Sequence, residues 1–193
     1  MRLWYLSHPQ VEIDPAVPVP DWRLSAIGQA RVAALAARGW PAGVQRVIAS
    51  AERKARETAA PLAATLGLTV EIRPAQGEID RRATGYVPHD RHEALADRFF
   101  ADPDQSADGW ETARAAQARV LSDLRQALVG MPGHDMLVVG HGGVGTLILC
   151  HFAGLALSRV HDQPAGGGNW FCVDPVAGRV IGPPGWRPME EAA

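Results

Sequence analysis

Cysteine is nearly absent from this chain: of 193 residues only Cys150 and Cys172 carry a thiol, too few for a disulfide framework. With no export signal in view, both are read as buried thiols. No apolar run approaches the roughly 20 residues that a membrane span requires. The opening MRLWYLSHPQ lacks the long apolar stretch and small-residue cleavage site of a signal peptide, so a cytoplasmic location is expected. A formal charge of -2 and a pI near 6.4 leave no basic footprint for nucleic acid. Internal repeats and low-complexity segments are missing too. Lysine is the scarcest cation: of 19 basic residues, Lys54 alone is lysine. What is present, 47% apolar and 21% charged residues, is the mixture of a soluble globular core. A chain of this length suits one domain, spanning 1–193.

The apolar pattern alternates between strand-like and helix-like stretches. Arg2 to Leu6 reads as a short buried strand that stops at Ser7-His8. Pro9, Pro15, Pro18 and Pro20 exclude a helix in the next stretch and predict an extended loop. Ser25 is a candidate N-cap for a helix that Gly39 ends. Val44 to Ala49 predicts a second strand, about Ala51 to Leu66 a second helix, and Leu68 to Ile72 a third strand. The stretch from Pro74 to Asp108 has mixed charge and one helix around His92 to Phe100, and is expected to stand as an insertion near the mouth of a site. Trp110 to Val129 predicts a helix, Met136 to Val139 a strand, and Val144 to Phe152 a helix. A glycine-rich loop at 165–168 precedes strands at Asn169 to Val173 and Arg179 to Ile181. Such alternation predicts an α/β fold, a three-layer αβα sandwich around a mostly parallel sheet.

Two strand ends deliver a histidine, at Leu6-Ser7-His8 and at Val139-Gly140-His141. Ligands of parallel sheets sit in the crevice at the carboxyl ends of the strands, so both imidazoles are expected in one crevice. A helix starting after His141 would aim its free N–H groups there, which suits an anion. The third junction, Ala49-Ser50, leads into a helix bearing Arg53, Lys54 and Arg56. Two imidazoles, cations and a helix N-terminus make a phosphate site by chemistry. His89, His92, His134, His151 and His161 read instead as surface or structural histidines. His161-Asp162-Gln163 and Asn169 are candidates for the pocket wall.

In combination these stretches resemble the histidine phosphatase superfamily, the group that includes the cofactor-dependent phosphoglycerate mutases. Leu3 to His8 is similar to its first strand and nucleophile. Leu24-Ser25 with Gly28-Gln29-Ala30 matches the start of its first helix, SAERKARETA (50–59) its second phosphate-binding segment, and Val138 to Val144 its second histidine motif. The resemblance implies catalytic roles for His8, Glu78 and His141, substrate-binding roles for Ser7, Lys54 and Gly142, and no metal or cofactor. Asp80, two residues from Glu78, is the alternative proton donor. A small phosphorylated substrate is the implied partner.

The chain departs from that pattern at the nucleophile. Where the family has arginine-histidine-glycine, this chain has Ser7-His8-Pro9. Val11 and Asp14 replace the usual threonine and asparagine, and Lys54 replaces an arginine. Serine is neutral and lysine is a point charge without arginine's fork. Each lost charge-assisted hydrogen bond costs on the order of 1.5–3 kcal/mol. Arg53, Arg56 and Arg23 are the candidate replacements. The expected activity is phosphomonoester hydrolysis through a phosphohistidine on His8. A phospho-ligand- or partner-binding protein that has lost catalysis is the alternative, and a phosphomutase ranks below both.

Overall fold

The computed structural model describes residues 1–129 and 133–192. Its elements run β1 (Leu3–Ser7), α1 (Ala26–Ala37), β2 (Val44–Ala49), α2 (Arg53–Thr65), β3 (Val70–Ile72), α3 (His89–Ala101), α4 (Ala113–Leu128), β4 (Asp135–Gly140), α5 (Gly142–Ala153), β5 (Asn169–Asp174), β6 (Arg179–Val180) and β7 (Arg187–Pro188). The strands form one sheet in the order β3-β2-β4-β1-β5-β6, with β7 also paired to β5. Pairings among β1 to β4 are all parallel.

Strand alternation divides the core in two. Leu3 and Tyr5 of β1, with Met136 and Val138 of β4, pack on the side of α3, α4 and α5, around Phe99, Leu124 and Leu147. Leu6 of β1 and Leu137 and Val139 of β4 pack on the other side, against Val32 and Leu35 of α1 and Leu62 of α2. Successive side chains of a strand point to opposite faces, so a strand covered on both must be apolar throughout. This is why the central strands read as continuous apolar runs, and the fold is the expected three-layer α/β arrangement. Each fully buried leucine or phenylalanine contributes roughly 1.5–3 kcal/mol.

The later strands break the parallel pattern. β5 runs antiparallel to β1, and β6 and β7 run antiparallel to β5. After α5 the segment 155–168 returns to the edge where β1 ends. There Gly168 donates its N–H to the His8 carbonyl at 2.9 Å, and Pro9 bridges to Gly167. The last long strand therefore starts where β1 stops. The segment 74–108 holds a single 3-10 turn and α3, which begins three residues earlier than its apolar spacing suggests. β7 has no sequence signal, being two residues with a proline.

Candidate active site

The ends of β1 and β4 lie side by side, with Ser7 paired to Gly140. The chain then places the His8 and His141 rings 5.3 Å apart, edge to face. Tyr5 fixes the second junction: its buried hydroxyl accepts from the His141 N–H and donates to the His141 carbonyl, both at 3.0 Å. Burial pushes the phenol above its usual range, so it remains a donor.

His8 Nδ1 lies 2.8 Å from the Pro9 carbonyl, which can only accept, so Nδ1 carries the proton and Nε2 keeps its lone pair. Burial, with help from His141 and Lys54, holds the His8 imidazole down to about 3, so it is neutral near pH 7. The His141 side chain is fully buried. Its Nε2 shares a hydrogen bond with Ser50 Oγ at 2.7 Å and stands 3.4 Å from Glu52 Oε1, while its Nδ1 has no partner among the described residues. Burial lowers its pKa too, against the pull of Glu52 and Glu78.

Glu78 occupies the N-terminus of α5. Its carboxylate accepts from Gly143 N at 3.1 Å and Val144 N at 2.9 Å, and from the N–H of Ile79 at 3.0 Å. The free amides expected to face a ligand therefore already hold a carboxylate. Glycine at 143 makes this approach possible, since a Cβ there would lie 2.7 Å from Glu78 Oε1. Burial pushes the Glu78 carboxyl up, but His141, Arg81 and the Ile79 amide outweigh it and hold it below its usual range. Arg119 of α4 positions this segment. It donates to the carbonyls of Ala75, Gly77 and Glu78 while ion-paired to Glu111 at 2.7 Å. Asp80, the other candidate acid, pairs with exposed Arg82.

The substrate-binding candidates separate. Gly142 lines a cleft of about 490 Å³ together with His8, Glu78, Arg81, His92 and Gln163. Ser7 is buried, donating to Gln163 Oε1 at 2.6 Å and accepting from Asn169 N at 3.0 Å. Lys54 is buried, bound to Glu52 Oε2 and to the Val19 carbonyl at 2.9 Å, so it fastens the proline-rich loop to α2. Arg53 pairs with Glu57 and Arg23 with Glu12, and Arg56 is exposed. Asp14 is exposed and accepts from Ala16 N.

Sequence reasoning passed over Glu52 and Arg81, and named Ser50 only as the junction into α2 and the start of the segment 50–59. Glu52 bonds Lys54, stands near His141 and accepts from the Glu78 N–H at 2.8 Å. His141 and Lys54 hold its carboxyl at about 2 although burial opposes them. The signal was its place two residues before the single lysine, at the start of a helix. A second cleft of about 550 Å³ lies on the far side of Glu78, between the 15–20 loop and Ile79 to Tyr86. Among the described residues no group of three His, Cys, Asp or Glu side chains is placed to hold a metal ion.

These depressed values give a stability prediction. The unfolded His8 binds a proton below about 6.5, whereas the folded one refuses it until about 3. Between those values the unfolded state holds more protons, so stability is lost as pH falls. Glu52 adds loss in the same direction, below about 4.5 and toward 2. Urea unfolding should give a midpoint that drops from pH 7 to 5, and His8→Asn should make that drop shallower. An unchanged slope in the variant would show that His8 is protonated in the folded protein.

Fold and site together define an α/β protein of the phosphoglycerate-mutase-like class, with two histidines at the carboxyl edge of the sheet. A family model, the histidine phosphatase superfamily (branch 1), matches residues 8–177, and the chain belongs to that family. YhfR of Bacillus stearothermophilus is similar in structure, with a TM-score of 0.76 at 17% identity over 96% of this chain and 94% of that one. Mycobacterial glucosyl-3-phosphoglycerate phosphatase is similar with a TM-score of 0.72 at 20% identity, over 89% and 88%. A putative alpha-ribazole-5'-P phosphatase from Escherichia coli reaches 0.75 at 19% identity, over 97% of each chain. Among curated proteins no sequence matches. No helix among the described residues is long and apolar enough to cross a membrane.

Proposed function

We propose that this protein hydrolyses a small phosphomonoester through a phosphohistidine on His8. The observation that carries the reading is the His8 ring itself: Nδ1 bound to the Pro9 carbonyl, Nε2 free, and the side chain lining a cleft 5.3 Å from a second imidazole. The Nε2 lone pair attacks phosphorus as the bond to the leaving oxygen breaks, and Glu78 gives that oxygen a proton. Glu78 then takes a proton from water, whose oxygen bonds to phosphorus as the bond from phosphorus to His8 Nε2 breaks, releasing inorganic phosphate and returning His8 to its neutral form. The Glu78 carboxyl is held low in the free protein. A phosphate dianion beside it raises it, so binding and proton uptake go together. His141, its ring 5.3 Å from that of His8, stands beside the developing charge. Burial keeps its pKa low in the free protein, and the arriving phosphate dianion, with Glu52 behind the ring, raises it toward the imidazolium. The mycobacterial relative, named for acting on a phosphoglycerate ester, supports a small phosphorylated substrate.

The cleft beyond Glu78 suits the leaving group. Its walls are Pro15, Val17, Pro18 and Val19 on one side and Ile79 and Tyr86 on the other, with Trp22 against Tyr86 at 5.8 Å. A naphthyl phosphate should therefore be hydrolysed with a kcat/KM about tenfold above that of phenyl phosphate, whose leaving group is of similar acidity, the gain expected from burying one further ring. Tyr86→Ala should shrink the ratio. Equal kcat/KM for the two esters would remove this cleft from substrate recognition.

One observation favours the binding-only reading: the Lys54 ammonium is already bound to Glu52 and Val19. Trapping a phosphoenzyme that is labile in acid and stable in alkali decides for hydrolysis. Tight binding of phosphoesters without turnover decides for binding alone.

A further inference from the structure

We propose that Arg81 supplies the cation that the first loop lacks, binding the substrate's phosphoryl oxygens beside His8. Arg81 lies three residues after Glu78 in the segment 74–108. It is half-buried, and among the described residues its side chain makes no ion pair. Most of the arginines that reach the surface do pair with acids, including Arg23, Arg53 and Arg159. Arg81 lines the cleft that holds His8 and Gly142 and also the apolar cleft beyond Glu78, so it stands where the two meet. Its guanidinium carbon sits 5.5 Å from the centre of the Trp110 ring. Stacking fixes the plane of a guanidinium and leaves its N–H edge free for a planar or tetrahedral oxyanion.

Charge balance points the same way. The site buries two carboxylates, Glu52 and Glu78. Lys54 is bound to the first, while Glu78 has only backbone amides against its oxygens. An arriving phosphate would otherwise meet two negative groups and one neutralised cation. Arg81 is close enough to hold down both the Glu78 carboxyl and the His92 imidazole, which places its charge inside the same cleft. The role needs an arginine rather than a lysine, because a fork donates to two phosphoryl oxygens at once.

This inference rests on the phosphatase reading, and the test separates the two. Hydrolysis of p-nitrophenyl phosphate and competition by inorganic phosphate are measured for the parent, Arg81→Gln, Arg81→Lys and Arg53→Gln, each with its thermal midpoint. Loss of a charge-assisted pair should raise KM and the phosphate inhibition constant about 10- to 100-fold in Arg81→Gln. Arg81→Lys should fall between it and the parent, and Arg53→Gln should match the parent. If the parent turns over and both Arg81 variants keep its KM and phosphate inhibition, Arg81 is not the phosphate cation, and the hydrolase reading stands. If the parent neither hydrolyses the ester nor binds phosphate by calorimetry, both readings fall. Should Arg81→Gln unfold, Arg81→Lys alone decides, since it keeps the charge and loses only the fork.

Discussion

His8→Ala is expected to lower kcat on p-nitrophenyl phosphate by ~10⁴-fold and to abolish any acid-labile phosphoenzyme, in line with losses seen when nucleophiles are removed. The reason is local. Nε2 of His8 is a free lone pair in a cleft, and His141, the other imidazole, is fully buried with its Nε2 already bonded to Ser50. Removing the first therefore leaves no equivalent nucleophile among these two. Folding should survive, because burial already disfavours a charged His8 and its one side-chain hydrogen bond is to the neighbouring Pro9. Stopped-flow burst measurements on the parent and alkaline quench of the phosphoenzyme check both halves. Turnover within tenfold of the parent would falsify the assignment.

Glu78→Gln carries the second largest effect, and it depends on the leaving group. An alkyl phosphate needs its leaving oxygen protonated, so kcat/KM, which reports phosphoryl transfer to His8 and not the later attack of water, should drop about 10²–10⁴-fold. For p-nitrophenyl phosphate, whose phenolate leaves unaided, the drop should be much smaller. The change also has a structural cost. The new side chain can still accept from Ile79 and Val144, but its amide group would face the Gly143 N–H, donor against donor. An unsatisfied group of this kind costs about 1–3 kcal/mol, and loss of the negative charge at the start of α5 adds a few tenths more. Calorimetry should therefore show a lower midpoint beside the altered substrate dependence. Equal losses on both esters would mean that Glu78 serves α5 and not the proton transfer.

The strand-end histidines were legible because two local signals coincide at each. An apolar run of four residues, Leu3 to Leu6 or Met136 to Val139, stops at a junction of small or polar residues, and in parallel sheets such junctions share one edge. Glu78 was legible only through resemblance, since nothing in its neighbours shows that Gly143 and Val144 would hold it. The contacts of Ser7 and Lys54 were not legible at all. Ser7 follows the strand alternation and meets Gln163 and Asn169, which lie more than 150 residues away. Lys54 meets Glu52 two residues back and Val19 across the loop. Arg81 lay unnoticed among mixed charges, because a sequence does not say which arginines find acids.

The amino-acid sequence determined the order of strands and helices, the two-faced burial of β1 and β4, and the delivery of His8 and His141 to one edge. These follow from periodicity, from glycine and proline, and from the parallel rule, all of them short-range causes. Only the tertiary structure decided that β5 runs antiparallel, that Glu78 caps α5, that Lys54 is bound to Glu52, and that Arg81 stands beside the cleft without an acid partner. Each of those depends on a contact between segments distant in the chain or on competition among many charges for few partners, and no local pattern encodes the outcome of that competition.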